Sequence, residues 1–340
     1  MLRVGIIGFG RIGNEHAGWL SRASNARAIA AADATPARRD RASQAGLRVF
    51  EKVNDLLTDR DIDAILIATP TAMHFEHATL AIGAGKHVMI EKPMTLDFPT
   101  STQLVEQAKS AGRTISVFHN RRWDIDYLTV KSALESGMFG KLINIESRLG
   151  QWSSCVGPAA KEYRPNWRNE GAFGGGGLYD WGSHFVDQLW QLMLPAKPLR
   201  VFAQLRGNVW SSDCDDFARV LIDFDNGAAG MVEINTTTER PLPRWHIDGT
   251  SGSADAPFSL GFDLNTWSQV TFTPSDGGAP RLLAKPQAAE GMSEIQIWEA
   301  FAGAVREGSE PAVTADSVLM TMTLLDAARE SSRSGRAISI

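Results

Sequence analysis

The stretch Leu2–Gly13, LRVGIIGFGRIG, decides the fold of the first third of the chain. Its apolar half predicts a short buried strand, and its glycines follow the pattern G-x-G-x-x-G where a helix should begin. Such glycines allow a tight turn, close approach of a pyrophosphate to the backbone, and close packing of helix on strand. The helix N-terminus then offers free N–H groups to the phosphates. The sequence therefore predicts a dinucleotide-binding unit.

The glycine turn and the next strand supply the first candidate cofactor contacts. The turn residues are Gly8, Phe9, Gly10, Arg11, Ile12 and Gly13. A second predicted strand, Ala26–Ala32, ends in Asp33, at the spacing of about 20 residues from the last glycine that suits an acidic ribose ligand. A carboxylate there accepts hydrogen bonds from the adenosine ribose and repels a 2′-phosphate, so NAD is favoured. NADP stays open, because Arg38 and Arg39 lie close by in sequence.

Apolar strands and helices continue to alternate as far as residue 119, which predicts a doubly wound parallel sheet. Ligands of such sheets bind beyond the carboxyl ends of the strands. Thr69 and Pro70 follow one predicted strand, and Glu91 and Lys92 follow another. His74 lies in the first turn of a helix predicted from Met73 to Gly83. We expect all five at the cofactor crevice. A cation at Lys92 would stabilise an alkoxide that forms during hydride transfer.

The alternation stops at Asn120, and most later strands are predicted to pair antiparallel. The turn Asp225-Asn226-Gly227 between two of them is typical of a hairpin. We therefore predict two domains: residues 1–119 bind NAD(P), and residues 120–340 form an α+β domain with an open-faced, mainly antiparallel sheet for substrate binding and oligomerisation.

The run Gly174–Met193, GGGGLYDWGSHFVDQLWQLM, places Asp180 and His184 four residues apart at the start of a predicted helix. On a helix these side chains share one face, so the Asp can fix the tautomer of the His, which exchanges protons near neutral pH. The long polar segment before this run, Gly150–Gly177, carries aromatic and Arg side chains. It is interpreted as a substrate lid, with an oligomer-interface arm as the alternative.

Composition excludes several other classes of function. The chain has 340 residues, a net charge of −5 and 43% hydrophobic residues, which gives no basic field for nucleic acid or an anionic membrane. Two cysteines, Cys155 and Cys214, are too few for a disulfide framework or a Cys-based zinc site. His74 and His77 lack a third ligand, so no metal is predicted. No export leader is apparent, and a cytoplasmic location is expected.

With these motifs in order, the chain resembles the glucose–fructose oxidoreductase / inositol dehydrogenase / MocA family. The resemblance rests on the glycine turn, on Glu91-Lys92-Pro93 and on Asp180-x-x-x-His184. The three residues Asn120-Arg121-Arg122 and the pair Trp167-Arg168 are also similar to the family's residues. The resemblance implies an NAD(P)-dependent dehydrogenase or reductase of a sugar, inositol or related polyol, and homodimers or homotetramers that pair through the second sheet.

The resemblance also implies roles for individual residues. Lys92, Asp180 and His184 map onto the catalytic Lys, Asp and His of the family, with His184 as general base. Further cofactor contacts are expected at Asn120, Trp167 and Arg168. Substrate contacts at Tyr163 and Arg164 are expected instead from the aromatic and cationic side chains of the predicted lid. Two other functions stay open: a glycosidase that retains its NAD and cleaves by transient oxidation, and a non-catalytic NAD-binding regulator.

Overall fold

Two β-sheets organise the chain in the computed structural model, which describes residues 1–155, 167–257, 269–285 and 292–340. The first sheet has six strands and the second has nine. The first contains β1 (Leu2–Ile7), β2 (Ala26–Ala32), β3 (Arg48–Phe50), β4 (Ala64–Ile67), β5 (His87–Ile90) and β6 (Ile115–Val117). Its helices are α1 (Arg11–Leu20), α2 (Pro36–Gln44), α3 (Val53–Leu57), α4 (His74–Gly83) and α5 (Phe98–Ser110).

The first sheet is entirely parallel, in the order β3-β2-β1-β4-β5-β6. Helices cover both faces of this sheet, which explains why the sequences of β1, β4 and β5 are continuous apolar runs. The strand order reverses between β1 and β4, which is the point where a crevice opens in a doubly wound sheet. The predicted Rossmann architecture is confirmed.

The second sheet has the order β14-β13-β12-β11-β7-β10-β9-β8-β15. Its pairs are antiparallel except for β7 and β10, which run parallel, so the predicted mainly antiparallel sheet is confirmed. The strands are β7 (Leu142–Gly150), β8 (Pro198–Arg206), β9 (Phe217–Phe224), β10 (Ala229–Asn235), β11 (Trp245–Gly249), β12 (Gly252–Ala256), β13 (Thr271–Pro274), β14 (Arg281–Leu282) and β15 (Ile338–Ser339).

Four further helices of the described chain pack on one face of the second sheet, on the first sheet or on each other. They are α6 (Ile125–Glu135), α7 (Ser183–Met193), α8 (Glu294–Glu307) and α9 (Asp316–Ser334). Helix α7 is buried along almost its whole length. It is preceded by one turn of π-helix, Leu178–Gly182, and both elements pack on β10.

The chain returns to the first sheet after completing most of the second. The apolar side of α8, with Ile297, Trp298 and Phe301, is buried in the same hydrophobic cluster as Val4 and Ile6 of β1. The core beneath the first sheet therefore contains residues from both ends of the sequence. The domain boundary at residue 119 stays a prediction. No helix in the described ranges is long and apolar enough to cross a membrane.

Candidate active site

A cavity opens at the carboxyl ends of β1, β2, β4 and β5, as predicted from the strand-end residues. Most of the expected cofactor contacts line it: Gly8, Gly10, Arg11, Ile12, Asp33, Thr69, Pro70, His74, Glu91, Lys92, Trp167 and Arg168. The parallel strands end at one edge of the sheet, so residues distant in sequence meet there. The cavity thus joins the glycine turn, where a pyrophosphate would bind, to Lys92.

The glycine turn has the geometry that its sequence predicts. Gly8 has a φ of +91°, and a Cβ there would lie 2.7 Å from the carbonyl oxygen of Ala68. A Cβ on Gly13 would lie 2.1 Å from the carbonyl oxygen of Gly8, so this glycine permits the helix to pack on the turn. Within the described chain no side chain caps α1 at Gly10. Its first N–H groups are therefore free to meet phosphate oxygens, and the turn fits a dinucleotide.

Asp33 is held rigidly beside this turn. Its Oδ2 accepts a hydrogen bond from the backbone N–H of Phe9 at 2.8 Å, and its Oδ1 accepts one from Thr35 at 2.9 Å. Arg38 lines the same cavity, with Nη1 3.7 Å from Asp33 Oδ2. Arg39 instead donates from Nη1 to the carbonyl oxygens of Asp33 and Ala34, each at 2.8 Å. Of the two arginines near the ribose position, Arg38 is thus the one that faces the cavity.

Three predicted cofactor contacts lie away from the cavity. The Phe9 side chain is fully buried in the core, and its backbone N–H is already bonded to Asp33. Gly13 lies behind the turn, where it allows packing. The Asn120 side chain donates to Glu294 Oε1 at 3.3 Å. Tyr163 and Arg164, the predicted substrate contacts on the lid, fall outside the described residues.

His74 links two segments of the cavity wall by contacting the main chain of each. Its Nδ1 lies 2.9 Å from the carbonyl oxygen of Pro93, and its Nε2 lies 2.9 Å from that of Thr69. His77 contacts Thr69 Oγ1 through Nδ1 at 3.2 Å. Neither histidine points toward a cluster of ligands: in the described part of the chain no group of three or more His, Cys, Asp or Glu side chains is placed to hold a metal ion.

Lys92 and Asp180 meet across the two sheets. The Lys92 Nζ donates to the carbonyl oxygen of Asp180 at 2.7 Å and to Asp180 Oδ1 at 3.1 Å. Arg168 approaches the same Oδ1 with Nε at 3.4 Å. Burial raises the pKa of Asp180, but the charges of Lys92 and Arg168 outweigh it, so the pKa lies below its ordinary value. One ionised carboxylate therefore faces two cations at the end of the cavity.

The glycine run before Asp180 makes room for protein backbone. A Cβ on Gly175 would lie 2.5 Å from the carbonyl oxygen of Arg168, and one on Gly176 would lie 2.3 Å from Asp215 Oδ1. Asp215 Oδ2 accepts the N–H of Leu178 at 2.8 Å. The glycines thus let the turn with Trp167 and Arg168 pack directly against the start of the π turn, which sets the position of Asp180.

The expected hydrogen-bonded pair of Asp180 and His184 is wrong. Asp180 lies in the π turn and its carboxylate is engaged by Lys92, while His184 lies on α7 with Nδ1 buried and without a partner. No hydrogen bond joins the two side chains within the described residues. The wider π turn and the attraction of Lys92 turn the carboxylate away from the imidazole. Because Nδ1 is enclosed, Nε2 is the nitrogen of His184 left for a ligand.

His184 is neutral in this setting. Burial lowers its pKa well below the ordinary value, and the nearby charges of Lys92 and Arg121 lower it further. A neutral imidazole can accept a proton, which is what a general base requires.

His119 is a site residue that sequence reasoning missed. Its ring packs edge-to-face on His184, with the ring centroids 5.6 Å apart. The side chain is 1% exposed, and neither buried ring nitrogen has a hydrogen-bond partner among the described residues, although Nδ1 lies 3.7 Å from Asp187 Oδ2. Burial lowers its pKa to about 4. The signal was present in the sequence, since His119 follows the strand β6 at the same sheet edge as Lys92.

A bidentate ion pair fixes α7 beside these histidines. Arg122 donates from Nε and Nη2 to the two carboxylate oxygens of Asp187, each at 2.7 Å. Thr321 on α9 donates to Asp187 Oδ1 at 2.9 Å. Asp187 lies one turn after His184, so this network holds the candidate base in register with the end of β6.

These features are typical of a nucleotide-binding protein, with a Lys92–Asp180 ion pair at the end of the nucleotide cavity. Residues 2–119 match the model of the oxidoreductase family with an NAD-binding Rossmann fold, and residues 127–255 match the GFO/IDH/MocA C-terminal domain. The chain belongs to the Gfo/Idh/MocA family. The family and the NAD(P)-binding oxidoreductase class predicted from the sequence are confirmed.

Individual relatives agree with this assignment. The chain is 35% identical over 213 residues to the Escherichia coli oxidoreductase YdgJ, a match that covers 62% of this chain and 60% of that protein. It is 25% identical to the scyllo-inositol 2-dehydrogenase (NADP(+)) IolW of Bacillus subtilis, over 99% of this chain and 95% of that one. The crystal structure of an NAD-binding protein from Listeria innocua superposes with a TM-score of 0.87 at 30% identity, covering 99% and 96%.

The neutral, buried His119 predicts a pH-dependent loss of stability. The unfolded chain protonates a histidine near pH 6.5, whereas the folded protein resists protonation of His119 down to about pH 4. Acid therefore favours the unfolded chain, and the contribution of His119 is complete above pH 6.5 and lost as the pH falls toward 4. His119→Asn should reduce the loss of unfolding free energy across this range by up to about 3 kcal/mol, measured by urea denaturation.

The wild-type protein, measured over the same pH range, is the reference for this experiment. An unchanged dependence in His119→Asn would contradict the neutral assignment of His119.

Proposed function

We propose that this protein is an NAD(P)-dependent dehydrogenase that transfers a hydride between the nicotinamide and a carbinol carbon of a sugar, inositol or related polyol. The observation that carries the proposal is the position of Lys92. Its ammonium lies at the end of the cavity that begins at the glycine turn, and it is bound to Asp180. A cation there can stabilise the negative oxygen of an alkoxide or polarise the carbonyl in the reverse direction.

His184 is the proposed general base. Its Nε2 takes the proton of the substrate hydroxyl, since Nδ1 is enclosed and its low pKa keeps the ring neutral. Lys92 donates a hydrogen bond to the same substrate oxygen as negative charge develops on it. Asp180 holds the ammonium in place from the other side. Bound NAD would supply the hydride acceptor.

Trp167 and Arg168 are proposed to close the cavity over the cofactor. The Arg168 guanidinium lies 4.4 Å from the centroid of the Trp167 ring and also reaches Asp180. Residues that contact both the cavity and the catalytic carboxylate can couple closure to the positioning of Lys92.

The substrate class is proposed from the similarity to IolW, which is named as a scyllo-inositol dehydrogenase and matches nearly the whole chain. A polyol carries neighbouring hydroxyl groups, and the site offers donors and acceptors to orient them. Lys92 and Arg168 line the cavity and can donate hydrogen bonds, and His184 Nε2 is the proposed acceptor. This polar lining supports a small hydroxylated ring rather than an apolar alcohol.

We also propose a homodimer or homotetramer formed through the second sheet. Its helix-free face carries an apolar row, with Phe202, Leu221 and Met231 as cross-strand neighbours on β8, β9 and β10. Leu221 is 42% exposed, whereas its neighbour Val220 is completely buried beneath the helices on the other face. Phe202 is partly buried and Met231 is 9% exposed, so the exposed part of this row is centred on Leu221, and its position on an open sheet supports pairing with a second copy.

Replacing Lys92 tests the proposed mechanism. Lys92→Met should lower kcat with a responsive polyol by about 100- to 1000-fold, because the transition-state oxygen loses its cationic partner. The Kd for NAD should change little, since the dinucleotide is held mainly by the glycine turn and Asp33. Steady-state kinetics and the quenching of tryptophan fluorescence by NAD measure the two quantities.

Lys131→Met is the matched control, because Lys131 also forms an ion pair, with Glu135 on α6, away from the cavity. It should behave as the wild type. Near wild-type turnover in Lys92→Met would show that Lys92 has no catalytic role.

Arg38 is predicted to decide how well NADP is accepted. It faces the cavity beside Asp33 and can neutralise a 2′-phosphate, whereas Arg39 is bonded to main-chain carbonyls. Arg38→Ala should weaken NADP binding relative to NAD by about tenfold or more, since a charge-assisted phosphate contact is lost. Arg39→Ala should change the ratio of the two Kd values much less. Equal effects of the two substitutions would contradict the assignment to Arg38.

A further inference from the structure

Three buried side chains from distant parts of the chain form a hydrogen-bonded row behind Lys92. Trp298 on α8 donates from its indole Nε1 to His16 Nδ1 at 2.9 Å. His16 Nε2, on α1, lies 2.7 Å from Glu91 Oε1, at the end of β5. Glu91 Oε2 accepts the backbone N–H of Lys92 at 3.2 Å. His16 and Trp298 are completely buried, and Glu91 is 8% exposed.

The chemistry of the indole sets the direction of every bond in this row. An indole N–H only donates, so His16 Nδ1 must accept and carries no proton. The proton of the neutral imidazole is then on Nε2, and His16 donates to Glu91. Glu91 must accept from His16 and from the Lys92 N–H, which an ionised carboxylate does with both oxygens. The identity of residue 298 thus determines the tautomer of His16 and the state of Glu91.

The surroundings leave His16 no other arrangement. Its ring is enclosed by Trp19, Phe118 and Trp298, with centroid separations of 4.7, 4.4 and 5.6 Å. Because this cage is aromatic, the row supplies the polar contacts of the imidazole. Loss of the indole would leave Nδ1 without a donor and would let the tautomer change.

The charged and titratable groups that act on Glu91 come from four elements. They are His16 on α1, Lys92 after β5, His74 on α4 and His119 after β6. Burial raises the pKa of Glu91, but the hydrogen bond from His16 and the charge of Lys92 outweigh it and hold the pKa below the ordinary value. His16 is therefore the largest single support for the ionised carboxylate.

We propose that Trp298 and His16 are positioning residues for the Glu91–Lys92 corner of the active site. Glu91 lines the cofactor cavity, and its carboxylate holds the main chain from which the Lys92 ammonium reaches Asp180. A displacement of the catalytic cation of about 1 Å is enough to slow an enzyme strongly. The proposal rests on the proposed function of Lys92, and it gives α8, far from the cavity in sequence, a part in catalysis.

Trp298→Phe tests the row, because it replaces the indole by a phenyl ring, which keeps an aromatic side chain but has no N–H to donate. Trp19→Phe is a matched control in the same cage, since Trp19 contacts the His16 ring by its edge but makes no hydrogen bond to it within the described residues. NMR of imidazole-labelled protein without ligand should show His16 Nδ1 bare and Nε2 protonated in the wild type and in Trp19→Phe. A wild-type His16 protonated on Nδ1 would overturn the proposal.

The state of Glu91 gives a second readout that does not depend on activity. Carboxyl-labelled glutamate should show Glu91 titrating about one pH unit higher in Trp298→Phe than in the wild type, as a donor to the carboxylate is weakened. In kinetics, kcat should fall about tenfold with little change in the KM for the polyol. The acidic limb of the pH–rate profile should shift to higher pH together with the pKa of Glu91. Trp19→Phe should leave all three unchanged.

A second pair of variants, at His16, tests the same row if Trp298→Phe folds poorly. His16→Leu removes both hydrogen bonds of the imidazole, whereas the amide of His16→Gln can still accept from Trp298 and donate to Glu91. His16→Gln should therefore recover much of the kcat lost in His16→Leu. Equal kcat and equal Glu91 titration in the two variants would overturn the proposal. If the row behaves as expected while no polyol is oxidised, the proposed function fails and the positioning of Glu91 stands.

Discussion

The contact between Lys92 and Asp180 is the interaction on which the rest of the site depends. It joins the end of a strand in the first sheet to the π turn before α7 on the second, with the two side chains 13% and 18% exposed. Removing two charges from water is costly unless each finds a partner, so the pair requires the two sheets to meet in one arrangement. That arrangement brings the nucleotide cavity and His184 to the same place. Fold and site are therefore coupled through one ion pair.

Each partner is fixed by its own buried support. On the lysine side, Glu91 binds the backbone N–H of Lys92 and is itself held by His16. On the aspartate side, Asp215 accepts the N–H of Leu178 at the start of the π turn, and the glycine run lets Arg168 approach. These supports come from several elements, and none contributes a reacting atom.

Local sequence patterns were enough to predict the glycine turn, Asp33 and the strand-end residues, because parallel strands bring their carboxyl ends to one edge. They were also enough to predict that the second sheet is mainly antiparallel, but not its short strands β12, β14 and β15. Contacts between distant segments were not predictable this way. Asp180 is paired with Lys92 rather than with His184, because the attraction of a distant cation and a π turn override helical spacing. The row from Trp298 to His16 joins residues 282 positions apart, and no local pattern reports it.

The most direct test of the central claim is the appearance of reduced nicotinamide absorbance when purified protein is mixed with NAD or NADP and a panel of inositols, aldoses, alditols and aromatic diols. A signal that depends on a polyol, and that disappears in a variant without the Lys92 ammonium, is the expected result. If the protein binds NAD but no member of the panel produces reduced nicotinamide, and if an aryl glycoside is cleaved, the assignment as a dehydrogenase would be contradicted and an NAD-retaining glycosidase favoured. Silence with both kinds of substrate would favour a regulator that only binds the nucleotide.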